Sequence, residues 1–173
     1  MALRSRRLPA REPRARPSDH RLPPCGRRVL SYHISFDPAE LDVELIHAFL
    51  SGSYWSPGIP RHTVERAIAH SLCVGAYAKD EEGKNEQVAF ARVITDRATF
   101  AYLADVFVLP AHRGQGVARQ MLEALQAHPE LQGLRRWALF TRDMQPLYAK
   151  LGWEPYPHPD RLMVREDAEV YSR

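Results

Sequence analysis

Cysteine is scarce in this chain of 173 residues: only Cys25 and Cys73 are present, far apart and with nothing like the spacing of a zinc site. A disulfide framework is therefore not expected, and reduced thiols in a cytoplasmic setting are the default. No cluster of His, Cys, Asp and Glu suggests a metal. No apolar run approaches the roughly 20 residues that cross a bilayer, so no membrane partner is expected. The charged N-terminus lacks a following apolar core, which argues against a secretory signal. Internal repeats are absent as well.

What is present fits one soluble domain. Hydrophobic residues make up 45% and charged residues 26%, ordinary values for a globular protein of a length that allows a single core. The net charge of +3 conceals two regions. Residues 1–28 hold nine arginines against Glu12 and Asp19, a local charge of +7, so the remainder carries −4. That segment also has five prolines and few large hydrophobes, too little apolar surface to offset the entropy of ordering it. We expect a disordered tail over residues 1–27, one folded domain over 28–168, and a short tail over 169–173. Basic tails can bind nucleic acid, but a solvated extension explains this one as well, and nucleic acid is not the expected partner.

The elements follow from patterning. "RVLSYHISF" (28–36) is a strand by its β-branched and aromatic content. Asp37 and Pro38 read as the cap and first position of a helix whose Leu41, Leu45, Ile46 and Phe49 form one apolar face. A loop, "SYWSPGIP" (53–60), leads to a second helix with Val64, Ala67 and Ile68 inward. Strands at 72–78 and 88–96 flank a polar hairpin turn, and a third runs over 99–110. Val117, Met121, Leu122 and Leu125 mark a helix that stops before His128 and Pro129. A strand at 135–140, a short helix in "DMQPLYAKLGW" and a closing strand at 161–166 complete the chain. The order β-α-α-β-β-β-α-β-α-β describes an α/β (α+β) mixed sheet with helices on both faces.

Between the third of those sheet strands and its helix lies "HRGQGVA" (112–118). Such a position presents unpaired N–H groups at the positive end of a helix dipole, a natural anion site. Gly114 and Gly116 let an anion approach the backbone without meeting a Cβ, and Arg113 and Arg119 can add charge-assisted bonds to phosphate oxygens. A tight turn with glycines for geometry alone would look the same. The Walker A pattern fails because no lysine and hydroxyl follow Gly116, and the dinucleotide pattern fails at Arg119, where a small residue should sit.

The register R-G-x-G-V-A, preceded by "VFVLPAH" and followed about 30 residues later by "LYAKLGW", resembles the GNAT superfamily of acyl-CoA-dependent N-acetyltransferases. The resemblance runs from Tyr32 onward and includes the strand order. It implies acetyl-CoA as co-substrate, with the CoA pyrophosphate held on the backbone of Arg113, Gly114, Gln115, Gly116, Val117 and Ala118. It also implies that Phe107 and Val108 line the pantetheine arm. A bulge in that strand would turn the Val108 N–H toward the thioester carbonyl, where an oriented donor stabilises developing oxyanion charge. Tyr148, by the same resemblance, is the general acid that protonates the departing thiolate. Asp143 is expected to cap the short helix beside the cofactor, with Pro146 in its first turn and Gly152 at its end.

The acceptor side is less determined. Asp105 is the first choice as general base, since alternation puts it on one face with Phe107 and Leu109; a carboxylate that orders the loop is the other reading. Tyr54 and Trp55, an aromatic pair on a proline-braced loop, suggest a substrate wall or a cap on the core. The expected activity is acetyl transfer to a small or amino-acid-like primary amine through a ternary complex. A non-catalytic acyl-CoA sensor of the same fold is the alternative. The resemblance also makes a homodimer possible.

Overall fold

The computed structural model describes residues 31–79 and 85–172; the basic N-terminal segment and the tip of the 79–85 hairpin lie outside the described residues. Strand β1 (Tyr32–Ser35) opens the described chain and lies at one edge of the sheet. Helices α1 (Val43–Ser51) and α2 (Arg61–Ala69) follow, then β2 (Leu72–Lys79), β3 (Asn85–Thr95) and β4 (Phe100–Val108). Helix α3 (Val117–Ala127), strand β5 (Arg136–Ala138) and helix α4 (Gln145–Ala149) complete the set. The sheet order is β1-β2-β3-β4-β5, antiparallel throughout except for the parallel pair β4–β5.

Two apolar layers sandwich this sheet. On one face Val117, Met121, Leu122 and Leu125 of α3 pack on Val74, Ala76, Val88, Val93 and Leu103, with Tyr148 of α4 at the margin. On the other, Ile46 and Leu50 of α1 and Val64 of α2 meet Cys73, Phe90 and Phe107. Truncating a sealed α3 residue such as Leu122 to alanine costs about 2–5 kcal/mol, a large fraction of a domain's margin.

Strand β4 keeps both layers supplied by means of a bulge. Phe90 pairs with Phe107 and Arg92 with Ala104, so Asp105 and Val106 together stand opposite the single residue Ala91. Asp105 takes φ +53°, a conformation that Asp tolerates better than most side chains. Ala101 and Leu103 before the bulge, and Val106 and Val108 after it, therefore face the same layer. Beyond Tyr102 the partnership with β5 ends, leaving the outer edge of β4 without a strand from Leu103 onward. The sheet opens there.

Three sequence expectations need correction. The first helix begins a turn late: Asp37 caps only a short 3-10 turn, and Asp42 caps α1 by accepting from the Leu45 N–H at 2.9 Å. Strand β5 is three residues long instead of six, because the chain turns where the Thr141 Oγ1 accepts from the Met144 N–H and its carbonyl accepts from Gln145. The closing strand at 161–166 is not formed. Arg161 and Leu162 spend their N–H groups on a turn, donating to the carbonyls of His158 and Pro159, and Met163 is left 92% exposed.

Candidate active site

The loop between β4 and α3 is shaped by its two glycines. Gly114 and Gly116 sit at φ +73° and +81°, where a Cβ would be strained, and a Cβ on Gly114 would meet nothing within 4 Å. The space above the backbone is open. No side chain caps α3, and its first internal bond is from the Gln120 N–H to the Gly116 carbonyl at 3.0 Å. The amides of Val117, Ala118 and Arg119 are thus the orphan donors of a helix N-terminus, facing open space at the positive end of the dipole. This geometry fits a pyrophosphate held by backbone.

Side chains brace the loop. Tyr32 of β1 donates to the Gln115 Oε1 at 2.9 Å and bonds the His112 ring at 3.1 Å, while Gln115 donates to the Ala111 carbonyl. Arg113 reaches back so that its Nε donates to the Val108 carbonyl at 3.0 Å. Arg119 pairs with Glu123 one turn along α3.

The end of β4 faces the opening. The Leu109 N–H donates across to the Val88 carbonyl at 2.9 Å, so by alternation the N–H and C=O of Val108 point to the unpaired edge. The bulge lies upstream, at Asp105 and Val106, and the Val108 amide reaches the open edge through ordinary alternation. Phe107 turns the other way: its ring is buried and stacked on Phe49 at 3.9 Å, and by the same alternation its N–H and C=O point toward β3.

Tyr148 packs in the same layer as Val106 and Val108, carried by the five-residue helix α4, with Pro146 in its first turn and Gly152, at φ +83°, just past its end. The ring packs edge-on against Trp153, which meets Trp137 in the same way. Its hydroxyl makes no hydrogen bond to a described residue. Burial pushes the phenol up to about 12, with Tyr54 and Tyr102 adding to the rise. Asp143 is not the cap expected of it; Met144 occupies that position without a side-chain bond, and Asp143 is exposed.

The far wall is made of side chains from four segments. Trp55 donates to the Asp105 Oδ1 at 3.1 Å, and Arg92 Nε donates to the Asp105 Oδ2 at 2.5 Å. Arg92 also donates to the Ser71 Oγ. Side-chain exposure is only 15% for Arg92 and 8% for Asp105, so the pair is largely shielded from water. Tyr54 meets Trp55 edge-to-face at 4.9 Å, and the Arg142 guanidinium lies over the Tyr54 ring at 3.8 Å.

Comparison with known proteins agrees with this geometry. Residues 70–155 match the family model of the acetyltransferase (GNAT) domain. A protein of Gibberella zeae whose name provisionally assigns it acetyltransferase activity is 39% identical over 151 residues, 76% of this chain and 84% of that one. The chain belongs to the GNAT superfamily. A GNAT-family structure from Xanthomonas campestris is 50% identical with TM-score 0.76, covering 83% of this chain and 98% of that one. At 19% identity and TM-score 0.56, a Clostridium acetobutylicum protein solved with acetyl-CoA shares the fold over 79% of this chain and 96% of its own.

Within this GNAT domain Val108 and Tyr148 share one apolar layer with Val117 at the start of α3, and Tyr54, Trp55, Asp105 and Arg142 are joined by ring contacts and a hydrogen bond. Arg92, Tyr102 and Arg142 were not anticipated. Arg92 carried one signal, a charge in the middle of the apolar run "VAFARVI". Arg142 carried none, because its meaning depends on Tyr54, 88 residues away.

Proposed function

We propose that the protein transfers the acetyl group of acetyl-CoA to a small primary amine within a ternary complex. The reading is supported by the orphan amides at the start of α3, the outward-facing Val108 N–H on the β4 edge, and Tyr148, which packs in the same layer as Val108. When bound, acetyl-CoA supplies an activated thioester carbonyl and a thiolate leaving group. The amides of residues 114–118 hold its pyrophosphate. Val108 donates its N–H at the free edge, where negative charge develops on oxygen, and does so without reorganisation. Tyr148 keeps its proton throughout the neutral range and gives it up at Oη to the departing sulfur. It regains one from the proton that the attacking nitrogen sheds, through solvent, on becoming an amide.

Asp105 serves this reading as a positioning residue. Both of its oxygens are occupied, one by Trp55 and one by Arg92, so taking a proton there would break a buried ion pair. Its bonds fix the α1–α2 loop, which carries Tyr54 and Trp55, against the bulge of β4.

Thiol release across a panel of primary amines, with a thermal shift on acetyl-CoA, tests the proposal. Stabilisation by acetyl-CoA together with amine-dependent thiol release is the expected result. Stabilisation without release from any amine would leave a binding module in place of an enzyme, and no stabilisation at saturating acetyl-CoA would refute both.

A further inference from the structure

We propose that Arg142 is a specificity residue that binds a carboxylate of the acceptor, so that the substrate class is amines that also carry a carboxylate, amino acids above all. The inference rests on the acetyl-transfer reading above and concerns the same opening. Its Cζ stands 3.8 Å from the centroid of Tyr54, close enough for a full cation–π contact. The Arg142 backbone N–H donates to the Tyr54 hydroxyl at 3.4 Å, and the Arg142 carbonyl accepts from Gln145. Backbone and side chain are therefore both held.

The Arg142 guanidinium has no anionic partner among the described residues; the pairs present there are those of His33, Arg61, Arg92, Arg97 and Arg119. Asp143, its neighbour in sequence, is exposed and makes no ion pair with it. A guanidinium stacked by one face keeps its N–H edges free, and those edges match a carboxylate in planar, two-bond geometry. Tyr54 ties this charge to the β4 bulge, since its ring meets Trp55 at 4.9 Å and Trp55 donates to Asp105, and Arg142 lies just ahead of the helix that carries Tyr148.

Charge logic makes the assignment specific. The attacking amine arrives as an ammonium and must become neutral. A cation fixed on the Tyr54 ring repels a simple alkylammonium that approaches it. An acceptor that brings its own carboxylate converts that repulsion into a charge-assisted contact and leaves the amine free to point inward. The second fixed cation, Arg92, offers no such contact, being already paired with Asp105.

The test uses pairs of compounds that differ only in the carboxylate: L-phenylalanine and phenethylamine, L-leucine and isoamylamine, L-histidine and histamine. In the better pairs the amino acid should exceed its amine in kcat/KM by roughly ten- to a hundredfold, the range of one charge-assisted hydrogen-bond set. Arg142→Gln should collapse that ratio toward one by raising KM for the amino acid, and Arg142→Lys should restore part of it. A wild-type ratio near one or below, a variant that weakens both members equally, or a loss that falls on acetyl-CoA affinity overturns the inference. Calorimetry of the same pairs in the presence of CoA needs no turnover. If no compound releases thiol, the acetyl-transfer reading fails alone, and the calorimetric ratio still decides for or against Arg142. Melting temperatures near wild type in both variants exclude misfolding as the cause.

Discussion

Asp105→Asn isolates the charge of one buried carboxylate. Asn has nearly the same shape, tolerates the φ of +53° found there, and can still accept the Trp55 N–H through its Oδ1. What it cannot do is neutralise Arg92, whose Nε lies 2.5 Å from the native Oδ2 and whose side chain is only 15% exposed. Breaking a buried pair from one side costs about 3–5 kcal/mol, and the residual exposure of Arg92 puts the expectation at the lower end, about 3 kcal/mol. In a domain of this size that lowers the melting temperature by roughly 10 °C. Urea denaturation followed by circular dichroism should show the midpoint falling while the slope m stays constant.

A second substitution sharpens the test. With Arg92→Met added to Asp105→Asn, no buried charge remains, and much of the lost stability should return, a coupling that two independent sites would not show. Asp105→Ala should be worse than Asp105→Asn by about 1–2 kcal/mol, the cost of a left-handed backbone for an ordinary L residue. The reasoning is refuted if Asp105→Asn stays within about 0.5 kcal/mol of wild type, the range of an unremarkable surface change. A collapse of kcat with the melting temperature intact would return Asp105 to the role of general base. The expected pattern is the opposite: lost stability and a raised KM for the acceptor, because the anchor of Trp55 has loosened.

Other residues make independent predictions. Tyr148→Phe should lower kcat by about a hundredfold or more while barely moving the melting temperature, since the hydroxyl has no hydrogen bond to a described residue; kcat within threefold of wild type would sink the general-acid role. Because the Tyr148 phenol is pushed up to about 12, the wild-type kcat profile should show no descending limb from it below about pH 11. Gly116→Ala, at φ +81°, should cost about 1 kcal/mol in stability and also weaken acetyl-CoA binding, measured by calorimetry; unchanged affinity would detach the loop from the cofactor. Burial pushes the Cys73 thiol up to about 11, so its stabilising contribution is complete below the ordinary thiol value of about 8.5 and is lost as pH rises toward 11. In a Cys25→Ser background, a thiol reagent at pH 8 should modify Cys73 no faster than the protein unfolds, and rapid labelling would contradict its burial.

Periodicity made most of the fold legible. The apolar face of α3 reads directly as Val117, Met121, Leu122 and Leu125, and all four are sealed against the sheet. The failures arose where one pattern admits two outcomes. Asp37 and Asp42 are both competent caps five residues apart, and the first won only a single 3-10 turn. Leu162, Met163 and Val164 have the composition of a strand, but composition cannot reveal whether a strand edge is available to pair with, or that a turn has already claimed the N–H groups of Arg161 and Leu162. The bulge was foreseen without its address, because a bulge depends on two strands and one strand's sequence does not locate it.

The two sides of the opening differed in legibility for a physical reason. Backbone makes the donor side, and backbone that must reach a ligand calls for glycine at φ values other residues avoid, so the need is written into consecutive positions of one loop. Side chains make the acceptor side, drawn from Tyr54 and Trp55, Arg92, Asp105 and Arg142, and no local pattern joins them. The bulge of β4 connects the two sides. By absorbing one extra residue it keeps Val106 and Val108 in the α3 layer, and so leaves the Val108 amide at the free edge. The same extra residue turns the Asp105 carboxylate toward the opposite layer, where it holds Trp55. Donor and acceptor geometry are therefore set by a single departure from strand regularity. A change in that bulge would disturb both halves together, whereas a change at Tyr54 or Arg142 can alter which amine is accepted and leave the acetyl-CoA side intact.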